Sequence, residues 1–458
     1  MPDRELSRRN FLYGSATGAA VALLDPGLAA ARSVDVKRSD LPDLTIKEVK
    51  VYVTDMAGIH RLNSTETGQI VSVVTHSGIE GNYTLGDRNP TSHWLEWAKS
   101  ALVGKSVIDL LPQLTSTSGM KSQAGYHALD FRRRGRAMGF GAAPGGPGTH
   151  PAFGGAAIAG SGLNTHGGGS WPNYYTAAAD VCLWDILGKA VDRPIYRILQ
   201  GGEPVKSRVM AYASSNHLPS VEDYVADALN AKKLGYRGYK IHPGMGQHRS
   251  GASIPTYIGH MEEIREVRKA VGDEFVLMHD PVRMYNRFEA LQVGRLLQEL
   301  DYLWFEDPIQ TNDEEGLIEL VKRLDITVHV GEFLYSIADF AEYIKRDALG
   351  AVRCIIDNVG GISGGMRVGL LADAHGLEAA PHNWGNEMDL MVAFHLELAL
   401  PNAYWFEMPF PAEYTDRPYF KYKFRIGADG SIPAPTEPGL GYPFDRDALD
   451  RMTRRILR

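Results

Sequence analysis

Six ionisable residues in the second half of the chain are almost evenly spaced. Asp280, Glu306, Glu332, Asp357, His382 and Glu407 stand 26, 26, 25, 25 and 25 positions apart. Each lies at or near the end of a short β-rich run, at 275–280, 303–308, 327–332, 351–357, 377–383 and 403–409, and two further runs at 208–214 and 238–243 precede them. Between the runs lie apolar residues at helical spacing, such as Ile264, Val267 and Val271, or Leu291, Leu296, Leu297 and Leu300. Strands alternating with helices build a parallel sheet, and eight such strands call for a closed β/α barrel. The active groups of such a barrel gather at the carboxyl-terminal rim, so an even spacing of one β/α unit brings all six residues to one mouth. A single acid after a strand is usually a helix cap or a surface charge; the regular series is not explained that way.

Three consecutive strand ends supply Asp280, Glu306 and Glu332. Carboxylates gathered in a poorly solvated mouth push protons onto one another unless a cation sits among them. Oxygen-only donors suit Mg²⁺ or Mn²⁺, with positions left open for water and substrate. In Leu303-Trp304-Phe305-Glu306-Asp307-Pro308 the apolar residues read as buried. Strand alternation turns Trp304 and Glu306 inward and leaves Asp307 as a supporting or helix-capping group. The next three ends supply Asp357 and His382, a carboxylate–imidazole pair suited to acid–base work, and Glu407. Lys240 and His242, two apart on the second strand, share a face across the mouth. His279 and His329 fall out of phase with the ligand positions and read as structural residues on the opposite face. A metal flanked by bases suits removal of a proton α to a carboxylate, with the cation stabilising the enediolate that forms. Reprotonation then gives racemisation or epimerisation, and loss of a β-hydroxyl gives dehydration.

These residues, together with the stretch from Ala178 to Lys189 and Leu199-Gln200-Gly201-Gly202 before the barrel, resemble the enolase superfamily. The resemblance is to its mandelate racemase and muconate lactonizing enzyme-like branch, including the acid-sugar dehydratases. It implies a (β/α)7β barrel, one Mg²⁺, and an α+β cap formed by the N-terminal part and completed by the C-terminal tail. It also implies that Glu407 hydrogen-bonds the substrate carboxylate, and it leads to the expectation of a homo-oligomer. Many members carry Lys-x-Lys on the second strand where this chain has Lys240 and His242, which tilts the reading from racemase toward acid-sugar dehydratase. Racemase or epimerase is the main alternative, followed by lactone cycloisomerase. A non-catalytic binder of acid sugars has no use for the Asp357 and His382 pair.

The corresponding division is an export leader at 1–31, a cap at 42–175, a helix and linker at 176–204, the barrel at 205–409 and a returning segment at 410–458. Ser7-Arg8-Arg9-Asn10-Phe11-Leu12, a mildly apolar stretch and Leu28-Ala29-Ala30-Ala31 follow the order of a twin-arginine export signal, implying a periplasmic or secreted protein. In the cap, 45–55 and 69–75 alternate like a hairpin joined by a long loop, in which Arg61, Asn63 and Ser64 stand ready for polyol hydroxyls. Residues 135–170 hold 13 glycines, and read as a lid or a disordered insertion. The 458 residues carry a net charge of -7, with pI near 6.1, which offers no basic field for nucleic acid. No run is long and apolar enough to span a membrane. Cys182 and Cys354 form no metal or disulfide framework and read as buried apolar residues.

Overall fold

The computed structural model describes residues 38–55, 67–85, 91–115, 171–200, 206–244, 256–442 and 444–458. The export leader, Arg61, Asn63 and Ser64 of the cap loop, and the glycine-rich stretch lie outside them.

The cap is a four-stranded antiparallel sheet with helices against it. Strands β1 (Ile46–Asp55) and β2 (Thr67–Thr75) form the expected hairpin, with Val51 opposite Val71. Strand β3 (Glu80–Thr84) extends it on one side, and the last strand (Thr453–Leu457), from the C-terminal segment, pairs with β1 on the other. The C-terminal tail thus completes the cap, as the family resemblance implies. Most of β1 and β2 is buried, Ile46, Val51, Val71 and Val73 among them, and helix α1 (Thr91–Leu102) adds Trp94 and Leu102 to the same core. Helix α2 (Val107–Thr115) follows it. The long helix α3 (Trp171–Ala190) packs on β3 so tightly that a Cβ at Gly81 would fall 2.1 Å from the Cys182 carbonyl oxygen.

The barrel strands are β4 (Arg208–Ser214), β5 (Gly238–Ile241), β6 (Val276–His279), β7 (Trp304–Glu306), β8 (Thr327–Val330), β9 (Ala351–Val352), β10 (Glu378–Ala379) and β11 (Trp405–Pro409). Each of the eight predicted runs contains one of these strands, though within 351–357 and 377–383 only two residues are strand. They pair in parallel in the order β10-β9-β8-β7-β6-β5-β4-β11. Between the two ends of that path, the Ala379 N–H donates to the Asn402 carbonyl at 3.0 Å and the Asn383 side-chain amide to the Glu407 carbonyl at 3.3 Å. Helices alternate with the strands, and their predicted apolar faces are inward: Ile264, Val267 and Val271, and Leu296 and Leu297, are buried. Their ends carry their own signals, such as the capping box of Asn286 and Glu289 before Arg287–Glu299.

The register decides which side chains enter the barrel. Lys240 pairs with Met278, Met278 with Trp304, and Glu306 with His329, and residues paired this way share a face. His329 therefore points into the barrel, where its ring lies on that of Trp304 with centroids 4.5 Å apart. The expectation that it faces outward fails because the period of two does not continue to Glu332. The strand ends at Val330, and Gly331, at φ 143°, redirects the chain before Glu332. His279 does face outward, bonded to the Tyr285 hydroxyl at 3.0 Å and packed on Phe305. Leu303 is 41% exposed, since the strand begins only at Trp304. Both cysteines are free and buried.

Candidate active site

Asp280, Glu306 and Glu332 meet at the mouth. All three are buried, and one oxygen from each lies within 4.8 Å of the other two. Three carboxylates at that spacing fit a hard divalent cation coordinated by oxygen. Asp280 is held by its own turn: Oδ1 accepts the Val282 N–H at 2.9 Å, which aims Oδ2 at the cluster. That turn puts Val282 and Arg283 at φ 49° and 64°, an uncommon conformation for residues with a Cβ.

Lys240 is fully buried with its ammonium 3.3 Å from Asp280 Oδ2, 2.9 Å from Glu306 Oε2 and 2.7 Å from Glu407 Oε1. The Nε2 of His242 lies 2.8 Å from Asp280 Oδ2, and its Nδ1 lies 2.5 Å from the Ser215 carbonyl oxygen. A carbonyl only accepts, so Nδ1 carries a hydrogen and Nε2 is the ring atom turned to the carboxylates. Trp384 stands edge-on to the His242 ring, with centroids 5.3 Å apart. On the far side, His382 is fixed by its N–H on the Cys354 carbonyl and sets Nε2 at 3.5 Å from Glu332 Oε1. Two imidazoles thus stand at the two ends of the acidic triad.

Asp357 does not close a strand. It lies in the first turn of the short helix Ile356–Val359 and accepts a hydrogen bond from the Tyr83 hydroxyl of the cap at 2.9 Å. The residue bridged to His382 across the sheet is Ile355. Asp307 does not cap the following helix, whose N-cap is Asp313. It is buried at φ 33° with both carboxylate oxygens unpartnered among the described residues. Burial, then Glu332 and Asp280, push its carboxyl well above the usual range.

Arg353 is the buried side chain of this cluster that reading the sequence missed. It is fully buried inside the barrel, donating through Nε to Glu306 Oε1 and through Nη2 to Glu407 Oε2. Glu407 also receives the Ser214 hydroxyl and the Asn383 N–H, both at 2.8 Å, in addition to Lys240. Ser214 in turn accepts the Trp384 indole N–H at 2.9 Å. The available signal was parity: Arg353 stands two residues after Ala351, which pairs with the inward-facing His329.

The electrostatics follow from these contacts. Burial drives Glu306 well above the ordinary carboxylate range, and Asp280 and Glu407 add to the effect against Arg353 and Lys240. Burial opposes the charge on Asp280 and Glu407 too, but Lys240 with His242 holds the first well below its usual value, and Arg353 with Lys240 does the same for the second. Lys240 is raised because Glu306 and Glu407 outweigh its burial and the Arg353 charge.

Residues 223–448 match the enolase C-terminal domain-like family. Arabinonate dehydratase of Saccharolobus solfataricus is 30% identical over 269 residues, covering 58% of this chain and 68% of that protein. The chain belongs to the enolase superfamily. L-talarate/galactarate dehydratase of Salmonella typhimurium, another relative, is 28% identical over 59% of this chain and 63% of its own length. Among solved structures, D-glucarate dehydratase of Agrobacterium tumefaciens complexed with magnesium superposes with a TM-score of 0.68 at 24% identity, covering 90% of this chain and all of that one. The chain is thus an enzyme of the enolase superfamily, and the superfamily's mandelate racemase-like fold accounts for both cap and barrel.

Proposed function

We propose that this enzyme dehydrates an acid sugar, removing the proton α to a carboxylate and the β-hydroxyl to leave a 2-keto-3-deoxy acid. The observation that carries this reading is the buried triad with an imidazole Nε2 facing each end, at Asp280 and at Glu332. The dehydratase activities named for the relatives support it.

Asp280, Glu306 and Glu332 would hold Mg²⁺ or Mn²⁺, which when bound supplies Lewis-acid charge to the substrate carboxylate. Lys240 adds a fixed positive charge on the same side. His242, its Nδ1 held by Ser215, would offer Nε2 to the α-hydrogen once Asp280 is turned to the cation and that nitrogen carries no hydrogen. His382, at the other end, gives a proton to the departing hydroxyl, so that C–H and C–O bonds break and water leaves. Asp357 ties the cap to the mouth through Tyr83, closing the substrate space from above.

The same two-ended arrangement favours a second reading, racemisation or epimerisation, in which one imidazole removes the proton and the other replaces it on the opposite face. Proton NMR in D₂O with Mg²⁺ and a panel of aldonic and aldaric acids distinguishes them. A 2-keto-3-deoxy product supports dehydration, α-exchange with inversion supports the second reading, and no exchange across the panel counts against both. The Arg8-Arg9 leader supports export to the periplasm or exterior, and the small acids named for the relatives support a small carboxylate as the only partner besides further copies of the chain. Among the described residues no helix is long and apolar enough to cross a membrane.

A further inference from the structure

Arg353 is one of the largest fully buried side chains in the molecule, and burying a guanidinium is costly unless its charge and its donors are matched. Its partners are carboxylates on β7 and β11, two strands separated in the sheet by β4, β5 and β6. From β9 it also donates through Nη1 to the Ala380 carbonyl at 3.3 Å, while its own N–H bonds the Val330 carbonyl at 3.0 Å. The side chain therefore runs across the barrel interior as a strut.

Its two ends differ. Glu407 has both oxygens taken twice, by Ser214 and Lys240 on Oε1 and by Asn383 and Arg353 on Oε2, which fills the roughly four acceptor sites of a carboxylate. It has no lone pair left for a substrate and serves as a fixed anchor. Glu306 has Oε1 held by Arg353, while Oε2 receives the Trp304 indole N–H at 3.3 Å and Lys240, the ammonium that also faces Asp280, at 2.9 Å. Without the guanidinium, Oε1 loses its donor and the Glu306 carboxylate is held through Oε2 alone.

We infer that Arg353 is a positioning residue that transmits the fixed orientation of Glu407 to Glu306 and so presets how the Glu306 carboxylate is presented to the metal. The inference rests on the metal reading above but not on the substrate. A planar fork reaches two carboxylates at once, whereas a lysine ammonium is a single point charge on a flexible stem.

The test is Mn²⁺ binding, followed by electron paramagnetic resonance on metal-stripped protein, for wild type, Arg353→Lys, Glu407→Gln and the double variant, with thermal melts alongside. The expected result is Mn²⁺ binding weakened about 10–100-fold in Arg353→Lys. Glu407→Gln should weaken it in the same direction but add nothing once Arg353 is replaced. A folded Arg353→Lys binding Mn²⁺ within about twofold of wild type overturns the inference, as does a Glu407→Gln effect that persists in full in the double variant. Should Arg353→Lys not fold, unchanged Mn²⁺ affinity in Glu407→Gln overturns it alone. A wild type that binds no Mn²⁺ removes the metal reading itself, a different failure from the others.

Discussion

The Nε2 atom of His242 lies 2.8 Å from Oδ2 of Asp280, closer than any contact Lys240 makes with that carboxylate. With Nδ1 committed to Ser215, that nitrogen is the ring's working atom. Replacing His242 with Gln keeps a polar side chain of similar reach but removes the base. Turnover should fall about 10²–10⁴-fold, the usual contribution of a positioned acid or base. Mn²⁺ binding should survive, because all three carboxylates remain. Loss of metal in His242→Gln would mean that the imidazole supports the ligand set and performs no proton transfer.

Glu306→Gln should lose metal and turnover together. The substitution leaves a neutral amide between Lys240 and Arg353, two cations that then face each other with one carboxylate fewer. Chelation of the wild type should abolish activity reversibly, with Mg²⁺ restoring it. Full activity in Glu306→Gln would end the ligand assignment.

The β-rich runs gave the strand count, and the even spacing of the ionisable series was enough to read the barrel and the three gathered carboxylates, because one β/α unit repeats with nearly constant length. It was less informative where local backbone breaks the period of two. Gly331 resets the alternation, so phase counted back from Glu332 put His329 on the wrong face. Asp357 shares the series spacing yet sits on a helical turn, beyond the strand that its position suggested. Arg353 was passed over for another reason: parity alone does not single out an arginine inside a barrel, which is identified by the two carboxylates that compensate it, and these come from strands distant in sequence. The C-terminal strand on the cap has no local signature beyond its length, and it came from the family resemblance alone.

At the other end of the barrel, burial raises the Glu378 carboxyl to about 7, with the Lys206 charge opposing it. A carboxyl raised on folding binds protons more tightly in the folded state, so its stabilising share is complete below the unfolded value near 4.5 and is lost as pH rises through about 7. Glu378→Gln removes this dependence. Its melting temperature should exceed that of wild type at pH 8, and the advantage should vanish near pH ~5. Parallel melting curves at the two pH values check it, and an equal difference at both would show that Glu378 does not titrate in that window.

Gly331 is the position where backbone conformation and site geometry meet. Its φ of 143° is one that residues with a Cβ rarely adopt, and an added Cβ would fall 2.5 Å from Phe340 Cε1 and 2.7 Å from the Arg353 carbonyl oxygen. The phenyl ring can shift, but the carbonyl belongs to the strand end that carries Arg353. Gly331→Ala should therefore cost about 1–3 kcal/mol for the backbone conformation alone, measured by urea unfolding. The side chain on the next residue is Glu332, whose place at the mouth depends on this turn, so Mn²⁺ affinity should fall with stability. Gly350→Ala, where the added Cβ would come no closer than 3.1 Å to its neighbours and no positive φ is involved, should be milder and leave metal binding intact. Equal effects of the two substitutions on Mn²⁺ affinity would mean that Gly331 is needed for packing only.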